Sequence, residues 1–286
     1  MQIDGNSLTL ASAAEVIYRK TKVRLAPAAK EQIARSRDVI TQCLKKGQAV
    51  YGINTGFGKL AEVRIPHDHL EELQENLVMS HACGVGDPAG EDDVRAILLC
   101  KANTLAKGYS GVREQIVTFL LSLLNHNILP VIPQKGSVGA SGDLAPLAHM
   151  ALVVIGRGEV LQGTSRCDAN PILSEAGITP LALAAKEGLA LLNGTQFMTG
   201  VGIVNWHFAK KILLNADIIG ALSTEGLMGT PVAFDDRIHR ARGYCGQIET
   251  AKRLRQMMDN SPIRDSHLEC GRVQDPYSLR CIPQVH

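Results

Sequence analysis

Gly136-Ser137-Val138-Gly139-Ala140-Ser141-Gly142-Asp143-Leu144-Ala145-Pro146 is the segment around which the rest of the chain is organised. Its glycines precede Leu144, Leu147, Ala148, Ala151 and Ile155, an apolar set at helical spacing that runs into Gly156. A glycine-rich loop therefore feeds a helix. A P-loop would need Gly-Lys followed by Ser or Thr, but Asp143 follows Gly142; a G-x-S-x-G hydrolase elbow fails at the same aspartate. Two local structures account for the residues. In one, the glycines make a turn and Asp143 favours the start of the helix. In the other, the backbone bends until the Gly142 nitrogen approaches the Ala140 carbonyl, which glycine permits because it lacks a Cβ. Ring closure with loss of water, including the Ser141 hydroxyl, would leave an alkene conjugated to a carbonyl, a strong electrophile.

Outward from this loop, helical patterns dominate. Ile116, Phe119, Leu120, Leu123 and Leu124 form one apolar helix face, with Asn125 and Asn127 as stop signals before Pro130. Thr179-Pro180 predicts an N-cap and first residue of a helix ending near Gly194, and a long helix follows from Gln196 to Leu222. Glycine-dense segments at Tyr51–Gly58, Gly84–Gly90 and Gly108–Gly111 read as loops able to carry chemistry.

Composition narrows the class. Among 286 residues, 45% are hydrophobic and only 4% aromatic, so a Leu- and Ala-rich helical core is expected. A net charge of +2 without a basic block argues against nucleic acid as a partner. Seven scattered cysteines without C-x-x-C indicate neither a disulfide framework nor a zinc ribbon. No H-E-x-x-H occurs, and His67-x-His69 fits a solvated loop, so no metal is expected. The apolar zone Phe197–Leu222 is interrupted by Asn205, His207, Lys210 and Lys211, which favours a buried helix over a membrane span. Met1–Ala11 lacks the pattern of a signal peptide, and the cytoplasm is the expected location.

Ala140-Ser141-Gly142, within Gly-Ser-Val-Gly-Ala-Ser-Gly-Asp-Leu-Ala-Pro-Leu-Ala-His, resembles the signature of the aromatic amino acid ammonia-lyases. The resemblance runs through essentially the whole chain, with further matching blocks at Tyr51–Leu60, Asn76–Gly86, Lys186–Gln196 and Val273–Cys281. It implies a mainly α, fumarase/aspartase-like fold, with a loop-rich N-terminal domain (1–195) and a partial central helical bundle (196–286). It also implies that residues 140–142 cyclise without help to 4-methylideneimidazol-5-one (MIO), with no metal and no nucleotide. The loose dinucleotide fingerprint Gly56-Phe57-Gly58-Lys59-Leu60-Ala61 is set aside, since no β-patterned segment precedes it.

Elimination needs a base, an amine handle and a carboxylate clamp. By resemblance, Tyr51 is the catalytic tyrosine. An ordinary tyrosine pKa of about 10 means its phenolate would need nearby positive charge or donated hydrogen bonds. Arg280 matches the arginine that binds the substrate carboxylate, a task its planar fork suits. Tyr277 matches a tyrosine placed against the prosthetic ring, and Asn193 and Gln196 match polar groups lining the site. Ser80-His81, with Ser266-His267, resembles the histidine-specific branch, where an imidazole faces the substrate ring.

The implied reaction is carbon–nitrogen lyase chemistry: L-histidine to trans-urocanate and ammonia, the first step of histidine degradation, in a homotetramer. A tyrosine or phenylalanine lyase, or an aminomutase, is the enzymatic alternative. Family members continue beyond the position matching His286, including a glutamate of the active site with no counterpart here. The chain is accordingly expected to be a fragment or short form, with an inactive, partner-binding protein as the non-enzymatic alternative.

Overall fold

The computed structural model describes residues 1–286 apart from 48, 58–60, 141 and 164. The chain begins with β1 (Gln2–Ile3), α1 (Leu10–Tyr18), β2 (Arg24–Leu25), α2 (Pro27–Lys46) and α3 (Leu70–His81). It continues through β3 (Val85–Pro88), α4 (Glu91–Ala106), α5 (Glu114–His126), β4 (Leu129–Pro130), β5 (Pro133–Lys135) and α6 (Leu144–Val154). Then come β6 (Glu159–Gln162), β7 (Ser165–Asp168), α7 (Ala169–Glu175), α8 (Glu187–Leu192) and α9 (Gln196–Gly226). Five shorter helices follow: α10 (Asp236–Arg242), α11 (Cys245–Met257), α12 (Pro262–Asp265), α13 (Tyr277–Arg280) and α14 (Ile282–Val285).

Two compact units emerge, Met1–Asn205 and Trp206–His286, so the division falls inside α9. In the first, α4 packs against α1, α2 and α5. Glu91, Asp92 and Asp93 in the first turn of α4 complement its positive end, and its middle is almost wholly buried. The predicted face of α5 is in the core, and Asn127 ends the helix in a left-handed turn, its N–H donating to Leu123 and Leu124 oxygens. A second group, α3, α6 and α8, packs mutually. Strands are few: β1 pairs β2 in parallel, β3 pairs β5 antiparallel, and β4, β6 and β7 form a small antiparallel sheet.

One expected helix is shorter than its sequence pattern suggests. Residues 178–184 are not helical, and α8 starts only at Glu187. Tertiary hydrogen bonds replace the helical ones there: Leu181 N–H donates to Val154 O, and Arg113 donates to Ala182 O. The buried Glu187 carboxylate accepts from Ala184 N–H and Arg113. Propensity yields to this buried ion pair.

In the second unit, Ala221, Phe234, Ala251, Leu254, Met258 and Ile282 form the core. Asp217 is fully buried and accepts from Arg253 Nε at 2.6 Å and from His286 Nδ1 at 2.8 Å. Trp206, Phe208, Ile212, Ile218, Ile219 and Leu222 of α9 are exposed. Among the described residues, no helix is long and apolar enough to cross a membrane.

Exposed large apolar side chains on one helix favour association. The chain is expected to self-associate with rising concentration in sedimentation velocity, and the double variant Ile212→Glu/Ile219→Glu to shift markedly toward monomer. An unchanged distribution would show that another surface mediates association.

Candidate active site

Three helix ends converge on the 136–142 loop. His81 is the last residue of α3, Asp143 immediately precedes α6, and Asn193 immediately follows α8. Antiparallel pairing of Val85 with Lys135 lays the chain after His81 beside the chain entering the loop. From within α6, His149 Nε2 accepts from Gly84 N–H at 3.0 Å and fixes the same segment. The result is a cavity of about 330 Å³ lined by His81, Cys83, Gly136, Val138, Ala140, Gly142, Leu144 and Ala145. Ser141 lies outside the described residues, as do residues 58–60 of the Tyr51 block.

The bend at Gly142 is held from below. Its φ of +98° is one that L side chains rarely adopt, and a Cβ there would come within 2.5 Å of Gly194 O and 2.7 Å of Gly194 N. Asp143 N–H donates to the same Gly194 carbonyl at 2.7 Å. The Asp143 side chain does not cap α6, contrary to the simpler sequence expectation. Fully buried, it accepts from Ser137 Oγ at 2.6 Å and from Met198 N–H at 3.0 Å. It thus serves the first turn of α9, whose free N–H groups and positive helix end attract a carboxylate.

His81 is anchored through one ring nitrogen. Its Nδ1–H donates to Leu77 O at 2.8 Å, with Ser80 Oγ 3.2 Å away. In the neutral ring Nε2 is then the acceptor, on a residue lining the cavity that holds Ala140 and Gly142.

Comparison with known proteins agrees with this architecture. A family model described as aromatic amino acid lyase matches residues 8–286. This chain belongs to the aromatic amino acid lyase family. It is 51% identical to the histidine ammonia-lyase of Geobacillus thermodenitrificans over 99% of its own length and 56% of that relative. Crystal structures of a tyrosine aminomutase from Streptomyces globisporus (TM-score 0.93, 36% identity) and of a histidine ammonia-lyase from Trypanosoma cruzi (TM-score 0.88, 39% identity) match all of it. It covers 57% and 53% of those two chains. The chain therefore spans about half the length of the curated relatives it matches.

Within the first unit of this lyase-family chain, Tyr51, Asn193 and Gln196 are not among the residues that line the His81 cavity. Tyr51 is 59% exposed and meets Phe57 edge-on, with ring centroids 5.8 Å apart. Asn193 is exposed, while its main-chain carbonyl is turned inward. Gln196 is buried beside a different cavity, and its Nε2 donates to Thr104 Oγ1 at 3.1 Å. In the second unit, the Arg280 guanidinium lies 4.0 Å from the Tyr277 ring centroid, a cation–π contact. Arg280 lines a cavity of about 540 Å³, and its buried Nε has no hydrogen-bond partner among the described residues.

Two residues escaped the sequence-based expectations. Cys83 lines the loop cavity and was detectable only as part of the Asn76–Gly86 block. Lys101 is 1% exposed in α4, and its Nζ donates to Asn193 O at 3.0 Å and to Gln196 Oε1 at 3.3 Å. The available signal was a single lysine within Ala-Ile-Leu-Leu-Cys-Lys-Ala. Burial pushes its pKa down to about 7, partly opposed by the charge of Asp143.

This shift predicts a pH dependence of stability. Between the folded value of about 7 and the ordinary 10.5, the unfolded chain binds more protons at Lys101 than the folded one. The contribution of Lys101 to unfolding free energy therefore increases as pH rises through that window. Denaturant titrations at pH 7 and pH 10 should show this increment in the native sequence and its absence in Lys101→Met.

Proposed function

We propose that this chain carries out, or contributes to, histidine ammonia-lyase chemistry: removal of ammonia from L-histidine to give trans-urocanate, as a step in histidine breakdown. The observation that carries the reading is His81, held on the wall of the cavity that contains Ala140 and Gly142. Its acceptor Nε2 suits the N–H of a substrate imidazole, and a polar group left unpaired there disfavours phenylalanine or tyrosine. The 51% identity to a histidine ammonia-lyase supports the same substrate.

Residues 140–142 fit a self-formed methylideneimidazolone ring. Gly142 is pressed onto Gly194 at a positive φ that a bent triplet tolerates, and a cavity opens over Ala140 and Gly142. When formed, such a ring supplies an electrophilic alkene that no unmodified side chain offers.

The chain's own groups do the rest in this proposal. Tyr51, as phenolate, takes the β-hydrogen as a proton; the C–H electron pair becomes the new C=C bond while the amine departs as ammonia. Arg280 pairs with the substrate carboxylate, with Tyr277 supporting its guanidinium plane. The Asn193 amide would donate a hydrogen bond toward such a ring, and Gln196 would support that turn. Tyr51 and Tyr277 are exposed in the single chain, which suits a site assembled from several copies; a cytoplasmic homotetramer is part of the reading.

Intact-mass measurement of the purified chain should show a deficit of two waters, about 36 Da for this ring chemistry, together with urocanate formation from L-histidine followed by ultraviolet absorbance. A chain at its unmodified mass that makes no urocanate overturns the proposal; a β-amino acid product would indicate an aminomutase. His81→Leu should raise the ratio of phenylalanine or tyrosine turnover to histidine turnover on the order of tenfold or more. Paired kinetics with an unchanged ratio would remove His81 from the specificity role.

A further inference from the structure

An ammonium group is costly to bury unless it is paired and hydrogen-bonded, yet α4 places Lys101 at 1% exposure with no ion-pair partner among the described residues. Among the described residues, its two acceptors belong to one short turn: the main-chain oxygen of Asn193 at 3.0 Å and the side-chain oxygen of Gln196 at 3.3 Å. That turn carries Gly194, whose carbonyl receives the Asp143 N–H at 2.7 Å. Gly142 rests on the same residue so closely that no Cβ fits between them. Among the described residues, Lys101 does not line the loop cavity; its hydrogen bonds fix the turn on which Gly142 rests.

We propose that Lys101 is a positioning residue for closure of the ring at residues 140–142. The inference rests on the function proposed above. In the closure, the Gly142 nitrogen bonds to the Ala140 carbonyl carbon. The Ala140 oxygen leaves as water with the amide hydrogens of Ser141 and Gly142. The Ser141 hydroxyl leaves with the Ser141 α-hydrogen as a second water. No oxidant or reductant is consumed. The step requires the nitrogen to be held against the carbonyl, and a displacement of about 1 Å in such a geometry costs on the order of a hundredfold in rate. With Lys101 removed, the 193–196 turn loses the donor that serves two of its oxygens, and the support under Gly142 relaxes.

The test is a time course of intact mass after cell-free synthesis of the chain, for the native sequence, Lys101→Met and Lys101→Gln, with far-UV circular dichroism to establish folding. Lys101→Met should lose its two waters on the order of a hundredfold more slowly than the native chain. Lys101→Gln, whose amide retains an N–H for the Asn193 carbonyl, should fall between them. A native chain that never loses water overturns the proposed function and this inference together. A native chain that closes while folded variants close equally fast overturns the role of Lys101 alone. If Lys101→Met does not fold, Lys101→Gln decides by the same criterion. Loss of folding in both would make Lys101 a purely structural residue and overturn the inference.

Discussion

The contact between Gly142 and Gly194 is the constraint from which the rest of the site follows. Two backbone segments, one entering α6 and one leaving α8, approach so closely that a methyl group on Gly142 would collide with the peptide of Gly194. The Asp143 N–H to Gly194 O bond locks the pair in register. Because α3, α6 and α8 pack on one another, the position of this contact is inherited from a rigid helical cluster rather than from the loop itself. Strain at a loop persists only where its surroundings over-determine it, and three packed helix ends do so here.

Below the contact lies a dry polar layer. Asp143 and Lys101 are both almost completely removed from water, and each is satisfied mainly by backbone groups and neutral side chains rather than by the other. In a low-dielectric interior such hydrogen bonds are strong and an unpaired group is costly, so the layer specifies one arrangement of the 193–198 segment. Around it, the apolar middle of α4 and the buried face of α5 exclude water.

The second unit shows the opposite balance. Its core is small, while α9 presents large apolar side chains to solvent and Arg280 has a buried nitrogen with no hydrogen-bond partner among the described residues. Exposed apolar surface of this kind favours association.

Much of this was legible in the amino-acid order. Apolar residues at helical spacing located α5, α6 and the long α9, because burying one face is a local, periodic requirement. The loop was recognisable from Ala140-Ser141-Gly142 and its glycines, and His81 from its block. What only the tertiary structure decided concerns groups whose partners are distant in sequence. Asp143 looked like a cap for the helix it precedes, yet it bonds to Met198; Pro180 looked like a helix start, yet Arg113 and Glu187 hold that segment out of helix. Lys101 carried no motif at all, since its meaning lies in two oxygens more than ninety residues away. Periodicity reports which face a residue occupies; only packing determines which buried polar atom meets which, because an unpaired group in the interior costs too much to leave.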